Sequence, residues 1–169
     1  YVFEYNNPFA ALQFGDRNWS HSPLLGVSDF GRGAGAAAKL PFVQIGGYYY
    51  TDQFSEAGGS AAGGYALYER KVRDYRNGYL YRASVGVKSD LADTLHFSLA
   101  QNFQSPPKNI DVSLDLAGML DPEKNIGKAA VFDGEAAYDL WHFALKGVYA
   151  DPGFKGLYSD LYQINASVM

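Results

Sequence analysis

Hydrophobic and polar residues alternate with period two along most of the chain, most clearly in the segments 79–88 and 95–102. In the first segment one set of alternate positions is tyrosine or aliphatic (Tyr79, Tyr81, Ala83, Val85, Val87), and the other is mostly polar or small (Leu80, Arg82, Ser84, Gly86, Lys88). After residues 89–93 the pattern resumes, with Leu95, Phe97, Leu99 and Gln101 alternating with His96, Ser98, Ala100 and Asn102. Because successive side chains of a β-strand point to opposite faces, these segments predict a hairpin with one apolar and one polar face.

Similar strand-like segments recur along the sequence and are separated by turn-forming residues. The predicted strand segments are 1–5, 9–15, 33–51, 64–88, 94–104, 110–120, 128–138, 140–150 and 160–169. Asn77-Gly78 and Asp133-Gly134 are dipeptides favoured in type I′ turns, which predicts tight hairpins at both places. Since no convincing helix or linker separates the strands, the chain is predicted to form one antiparallel all-β domain over residues 1–169.

Two segments fit more than one structure. Residues 136–150 alternate as a strand, but Leu140, Phe143, Ala144 and Val148 also form a helical stripe. A glycine followed by valine and tyrosine near the end of that segment favours the strand. Residues 58–64 are all glycine, serine or alanine, and they predict either a flexible loop or a strand where two backbones approach closely.

The tyrosines of the alternating segments lie next to turn signals, and this placement indicates the environment of the sheet. An apolar face that begins in aromatic residues, opposite a small or polar face, is typical of transmembrane β-barrels. The sequence therefore predicts an antiparallel transmembrane β-barrel or a contiguous segment of a larger one. Residues 1–5 and 163–169 already alternate as strands, so we expect a piece of a larger protein. The predicted membrane-interface aromatics are Tyr48, Tyr49, Tyr50, Tyr79 and Tyr81.

Composition and charge narrow the classes of function. Tyrosine and phenylalanine contribute 14 and 11 of the 169 residues, and the 19 glycines suit turns and bulges better than helices. The net charge of −4 gives no general attraction to nucleic acid, and the basic run 69–76 is interrupted by acidic residues, as in a solvated strand end or loop. The absence of cysteine excludes disulfides, thiolate metal sites and cysteine nucleophiles. No apolar run has the roughly 18–20 residues of a membrane-spanning helix.

The histidines and serines do not form a catalytic motif in the sequence. His21 is followed by Ser22, but neighbours in an extended chain point apart, and no Gly-x-Ser-x-Gly elbow is present. His96 and His142 have no second ligand at metal-binding spacing and are predicted to line a barrel or lie in a core. The sequence therefore predicts a protein that is not an enzyme and that has no cofactor.

Two further motifs have ordinary structural explanations. A group of carboxylates lacks the spacing of a calcium-binding loop and is predicted to be solvated in loops. These carboxylates belong to Asp111, Asp115, Asp121, Glu123 and Asp133. The segment 31–35 contains Gly-x-Gly without the rest of a dinucleotide-binding fingerprint, so its small residues are predicted to open a strand where another backbone crosses closely.

The segment from Leu12 to Tyr50 resembles a known family. A strand ends in Phe14-Gly15-Asp16, a serine-containing excursion follows, and Gly31-Arg32-Gly33 leads into the next strand. This order resembles the barrel of fimbrial ushers and, more closely, the very large outer-membrane barrels of the type 9 secretion translocon kind. Residues 151–154, Asp-Pro-Gly-Phe, followed by Asp160, are similar to a proline-glycine-phenylalanine step in those barrels. No usher plug or chaperone-binding domain is recognisable in the chain.

The resemblance implies structural roles for Gly15, Asp16, Arg32 and Gly33. It implies that Asp16 accepts hydrogen bonds at a turn. It also implies that Arg32 points into the barrel lumen to meet a carboxylate, since an arginine facing lipid at mid-depth costs about 2–4 kcal/mol.

Three functional hypotheses follow from the sequence. The first is a non-catalytic barrel of the bacterial outer membrane, a conduit or scaffold for transport or secretion. Its partners would be outer-membrane lipid, other subunits of an envelope complex or the rest of a larger barrel, and not nucleic acid. The second is a soluble all-β module that binds a ligand or carbohydrate, and the third is an outer-membrane enzyme acting on lipid, which lacks its motif. Aromatic residues at strand ends of one face favour the first, and aromatics gathered in one cleft favour the second.

Overall fold

The computed structural model describes residues 1–19, 24, 30–52, 59–89, 94–154 and 158–169, and the strands among them form a single antiparallel sheet. Eleven strands follow each other in the sheet in the order of the sequence. They are β1 (Val2–Asn6), β2 (Ala10–Asn18), β3 (Phe30–Lys39), β4 (Val43–Asp52), β5 (Gly59–Val72), β6 (Tyr79–Ser89), β7 (Leu95–Ser105), β8 (Ile110–Leu120), β9 (Ile126–Tyr138), β10 (Trp141–Ala150) and β11 (Leu161–Val168). The predicted all-β antiparallel fold is confirmed. The edge strands β1 and β11 do not pair with each other, so the sheet is open.

The hairpin that the alternating pattern predicts is formed by β6 and β7. Val85 lies opposite Leu99, and Val87 lies opposite Phe97. Tyr81 continues the same face opposite Phe103. The pairing therefore joins the two predicted apolar faces into one.

Two of the predicted strand segments each contain two strands. Segment 33–51 is interrupted at residues 40–42, where Pro41 has no N–H to donate to a ladder and Leu40 N donates to Val43 O at 2.7 Å. Segment 64–88 is interrupted at residues 73–78, whose exposed basic side chains agree with the predicted solvated strand end.

Both predicted type I′ turns are wrong. A type I′ turn needs positive φ at both central residues, and neither Asn77 nor Gly78 has it. The chain reverses there around Asp74, whose Oδ1 accepts the backbone N–H of Arg76 at 2.8 Å. Residues 133–134 lie inside β9, and the neighbouring reversal comes five residues later, where Asp139 has a φ of 53°.

The two ambiguous segments are strands. Residues 141–150 form β10, which pairs with β9 on one side and β11 on the other. Residues 59–64 begin β5, where Gly63 lies opposite Tyr48 and Gly64 lies opposite Gly47. The small-residue strand is therefore confirmed for the described part of segment 58–64.

The register divides the strands into two faces, because residues opposite each other on neighbouring strands point the same way. The apolar face contains the row Phe3, Phe14, Ala34 and Tyr49 and the residues that alternate in step with it. Apart from Val2, the large hydrophobic residues that are exposed within the described strands all lie on this face. They are Phe3, Tyr5, Leu12, Phe14, Phe30, Ile45, Tyr49, Val85, Val87, Phe97, Phe103, Leu116, Ile126, Tyr138, Trp141, Phe143, Leu145, Tyr149, Tyr162, Ile164 and Val168.

The opposite face, which we call the polar face, is the more buried of the two. It contains the row Glu4, Gln13, Gly35 and Tyr48 and the residues in step with it. The buried strand residues Lys88, His96 and Met119 share this face, and so do the buried alanines of β3, β5, β8, β9 and β10. Burial is thus reversed relative to a sheet whose apolar side covers a core.

The sheet curls around its polar face, as the position of Leu24 indicates. Leu24 lies in the connection between β2 and β3, yet it belongs to one buried cluster with residues of β8, β9 and β10. It is six residues from Phe30, and six fully extended residues span only about 20 Å. In a flat sheet β3 would be about 24 Å from β8, the nearest strand of the cluster, and about 34 Å from β10, the farthest. The polar face therefore lies on the inside of the bend.

The two ends of the sheet differ in their connections. At one end, which we call the loop end, the connections are 19–29, 53–58, 90–94, 121–125 and 151–160. At the other, the turn end, they are 7–9, 40–42, 73–78, 106–109 and 139–140. The two longest connections, 19–29 and 151–160, therefore both lie at the loop end.

Candidate functional site

A band of charged and amide side chains crosses the polar face from β5 to β10. Arg82 Nε lies 2.7 Å from Glu69 Oε2, and Lys146 Nζ lies 3.6 Å from Asp133 Oδ2. All four residues occupy one cross-strand row, in which Asn102 and Ser113 stand between the two ion pairs. This row places hydrophilic groups on the inside of the curled sheet.

Carboxylates concentrate on the polar face of β8 and β9. Asp111 accepts hydrogen bonds from Asn102 Nδ2 at 3.0 Å and Gln104 Nε2 at 2.9 Å. Directly opposite Asp111 stands Glu135, whose Oε2 is 3.9 Å from His142 Nε2. The interpretation of loop carboxylates is therefore wrong for Asp111, Asp115 and Asp133, which are strand residues at polar-face positions. Only Asp121 and Glu123 lie in a connection.

The face-to-face carboxylates make a testable electrostatic prediction. We expect Glu135→Gln to stabilise the fold by about 0.2–1 kcal/mol, because like charges directly opposite on neighbouring strands repel. The matched control is Glu69→Gln, which removes a favourable partner of Arg82 and should leave stability unchanged or slightly lower. Urea unfolding at neutral pH and low salt measures both. A loss of stability in Glu135→Gln equal to that of the control would contradict the repulsion.

A second group on the polar face is an aromatic stack near the loop end. Trp19 stacks on Tyr48 with ring centroids 6.1 Å apart, and Tyr48 stacks on Tyr50 at 6.3 Å. Trp19 Nε1 donates to Gly31 O at 3.0 Å. Tyr48 and Tyr50 are only 8% and 4% exposed, whereas Tyr49 is 54% exposed. The prediction that all three are membrane-interface aromatics on one surface is therefore wrong for Tyr48 and Tyr50. Alternation gives consecutive tyrosines opposite faces.

The aromatic rings beside and within the stack pack directly against glycines of the neighbouring strands. A Cβ on Gly63 would lie 2.4 Å from the Tyr48 ring, and one on Gly46 would lie 2.6 Å from the Tyr65 ring. The sequence signal for this packing is the set of glycines in β3, β4 and β5 that share the polar face with aromatic residues of adjacent strands, and sequence reasoning missed it.

An open cleft of about 220 Å³ lies beside the stack. The floor of the cleft consists of small residues, alanine and glycine, from β2 and β3. Its walls include Gln13, Arg17 and Tyr65. The Arg17 guanidinium lies 5.3 Å from the Trp19 ring centre and 2.7 Å from Glu4 Oε1. The guanidinium of Arg17 and the indole of Trp19 in the cleft are thus already in contact with each other.

The aromatic side chains of the apolar face form two bands. At the turn end the band contains Tyr79, Tyr81, Phe103, Tyr138, Trp141 and Phe143, and at the loop end it contains Phe30, Tyr49, Phe97, Tyr149 and Tyr162. Mid-strand positions of this face are mainly alanine, valine, leucine and isoleucine, with Phe14 and Phe132 as aromatic exceptions. Tyr79 and Phe103 stack across β6 and β7 at 6.0 Å. The predicted aromatics Tyr49, Tyr79 and Tyr81 therefore share one surface.

Asp16 and Arg32 form an ion pair at the loop end of β2 and β3. Arg32 Nε and Nη2 donate to Asp16 at 2.9 and 3.2 Å. Arg32 thus meets a carboxylate. The expectation that it points into the lumen is wrong, because Arg32 alternates in step with Ala34 and its side chain lies on the apolar face. Asp16 accepts these bonds within β2, which continues to Asn18, and not at a turn.

The three glycines beside this pair, Gly15, Gly31 and Gly33, stand where a side chain would collide with backbone. Gly15 has a φ of 114°, and a Cβ there would lie 1.8 Å from Tyr1 O. A Cβ on Gly33 would lie 2.2 Å from Tyr49 O, and one on Gly31 would lie 2.3 Å from Thr51 O. The predicted close crossing of another backbone at the start of β3 is therefore confirmed.

The remaining sequence candidates do not come together as a site. His21 and Ser22 lie outside the described residues. His96 and His142 lie on different halves of the polar face, in β7 and β10. Within the described ranges, no group of three or more histidine, aspartate or glutamate residues is arranged to hold a metal ion.

Comparison of the chain with protein-family models, curated proteins and solved structures gives no match. In the part of the chain that the structure describes, no helix has the length and apolarity needed to cross a membrane. The functional interpretation therefore rests on the two faces of the sheet.

Proposed function

We propose that this chain forms the wall, or a section of the wall, of a β-barrel in the bacterial outer membrane. In this proposal it acts as a conduit or scaffold for transport or secretion and has no catalytic role. The observation that carries the proposal is the inverted burial, with large hydrophobic side chains exposed on the outside of the bend and charged groups inside. Water-soluble proteins rarely expose a contiguous apolar patch larger than a few hundred Å², and this face extends over eleven strands.

The dimensions of the strands support the proposal. A strand crossing the hydrocarbon core at a tilt needs about 9–11 residues. Strands β3 and β4 have 10 residues each, and β6, β7 and β8 have 11. Strands β2 to β10 pair on both sides, so ladder hydrogen bonds satisfy their backbone polar groups, as a lipid environment demands. The outer edges of β1 and β11 would pair with further strands of the wall.

The distribution of side chains supports it as well. Two aromatic bands with an aliphatic zone between them match the interfacial girdles of a membrane barrel. The ion pair of Asp16 and Arg32 lies at the loop end of the apolar face, where a charge is less costly than at mid-depth. The polar band from β5 to β10 would face the aqueous interior.

The soluble binding module is the second candidate, and the cleft beside Trp19 favours it. Aromatic rings, amides and a guanidinium in one recess suit a sugar-like ligand. However, Trp19 is only 4% exposed, so its ring offers little free surface. A soluble module would also leave the apolar face in water. We therefore rank this function second.

The chain's two tryptophans provide the test, because they report on opposite environments. Trp19 is buried on the polar face, whereas Trp141 is 58% exposed in the turn-end aromatic band. In vesicles of brominated lipid, we expect Trp19→Phe, which leaves Trp141, to lose most of its fluorescence. Trp141→Phe, which leaves Trp19, should keep most of its emission because direct contact with lipid is needed for quenching.

Failure of the proposal has a clear signature. If aqueous iodide quenches Trp141 and brominated lipid does not, the apolar face is not in lipid and the soluble module is favoured. Release of the native protein from washed membranes into detergent-free buffer would lead to the same conclusion.

A further inference from the structure

The two largest fully buried side chains of the described residues, Leu24 and Phe154, belong to connections and not to strands. They are 1% and 0% exposed. Both pack in one cluster with Met119 and with buried alanines on the polar face of β8, β9 and β10. Leu24, from the connection after β2, and Phe154, from the connection after β10, therefore lie in the same cluster on the inside of the curled sheet.

The connection after β10 is built to hold Phe154 in this place. Asp151 Oδ2 accepts the backbone N–H of Lys128 at 3.0 Å, and Phe154 N donates to Asp151 O at 3.1 Å. These bonds fix a turn against β9. Gly127 makes room for the turn, since a Cβ there would lie 2.5 Å from Gly153 O and 2.6 Å from Phe154 Cα.

We infer that Leu24 and Phe154 form an apolar latch that crosses the interior at the loop end and narrows the opening there. The argument is geometric: Leu24 comes from the strands near one edge of the sheet and Phe154 from the strands near the other, so their shared cluster spans the bend. The effect of this latch on the passage of solutes rests on the proposed function, a conduit. In an aqueous conduit, an apolar constriction resists wetting, so the latch opposes passage until it opens.

The alanines beneath the latch allow a direct test, because the chain has no cysteine of its own. Ala129 is 3% exposed and belongs to the cluster under Phe154. We expect a cysteine at Ala129 to react slowly with a water-soluble thiol reagent. Adding Phe154→Ala should accelerate that reaction about a hundredfold or more. Loss of the buried phenylalanine removes the packing that covers Ala129, and the free energy lost corresponds to at least that change in the fraction of molecules in which residue 129 is accessible.

The control is a cysteine at Ala100, which lies on the polar face of β7 and outside the cluster. Its reaction rate should be the same with and without Phe154→Ala. Equal rates for Ala129→Cys and Ala100→Cys in the otherwise unchanged chain would overturn the latch, as would an Ala129→Cys rate that Phe154→Ala does not alter. If Phe154→Ala fails to fold, Leu24→Ala serves as the second variant with the same expectation.

Cross-linking and conductance separate the latch from the proposed function. A short bifunctional thiol reagent should join Leu24→Cys to Phe154→Cys, and should not join Leu24→Cys to Phe132→Cys on the opposite face of β9. Planar-bilayer recordings should then show a larger conductance for Phe154→Ala than for the unchanged chain. Cross-linking without any membrane activity would uphold the latch and reject the conduit, whereas cross-linking with unchanged conductance in Phe154→Ala would reject the constriction.

Discussion

Replacing Val85 with arginine should destabilise the folded protein in lipid by about 2–4 kcal/mol. Val85 lies in the middle of β6 on the apolar face and is 52% exposed. At such a position in water, a surface substitution usually changes stability by no more than about 0.5 kcal/mol. In a membrane the same change places a guanidinium in hydrocarbon, at the depth where its cost is greatest. The size of the effect therefore separates the two environments.

The matched control for Val85→Arg is Ser84→Arg, one residue earlier on the polar face of the same strand. Its guanidinium would point into the hydrated interior, so we expect little change. Reversible urea unfolding from lipid vesicles measures both variants. If Val85→Arg is neutral, or if both arginines cost the same, the apolar face is not in contact with lipid and the proposed function fails.

Period-two alternation predicts the faces of this sheet because it depends only on strand geometry. Val85 and Leu99, which alternation places on the apolar faces of their strands, lie opposite each other in the sheet. The same rule separates Tyr49 from Tyr48 and Tyr50, whereas proximity to a turn signal groups all three on one surface. Arg32 is a second example. The family resemblance implies that its side chain points into the lumen, whereas alternation along β3 places it on the apolar face.

Turn chemistry was a weaker guide than alternation. The dipeptide at residues 133–134 is a strong local turn signal, yet β8 and β10 pair with β9 on both sides and keep it extended. Tertiary pairing thus overrides the local preference. Leu24 and Phe154 could not be predicted as buried, because a connection has no periodicity from which its direction can be read. Their burial depends on how far the sheet curls.

The curled sheet combines a buried polar face with an exposed apolar face, an arrangement that is unfavourable in water and would be favourable in lipid. Small residues on the polar face let loops and aromatic rings pack inside the bend, as Gly127 does for the turn that carries Phe154. Large apolar residues on the outside would then face a solvent that resembles them. A scaffold of this kind depends on close strand contacts, and glycine is the residue that permits the closest ones.

Substitution of Gly33 by alanine should therefore destabilise the fold by about 1–3 kcal/mol. Its Cβ would lie 2.2 Å from Tyr49 O and 2.6 Å from Tyr50 Cβ, and neither atom can withdraw without disturbing the ladder between β3 and β4. The clash is with the backbone of a paired strand and not with the flexible end of a side chain. We expect a shift of the urea midpoint with little change in slope.

Gly147→Ala in β10 is the control for Gly33→Ala, since a Cβ there meets nothing within 4 Å. Alanine limits the unfolded chain more than glycine does, so this variant should be unchanged or more stable by about 0.4–1 kcal/mol. Opposite signs for the two substitutions would show that the cost at Gly33 comes from the close approach of β4. A similar loss at both positions would instead mean that the sheet tolerates no added methyl group, and the argument from local contacts would be refuted.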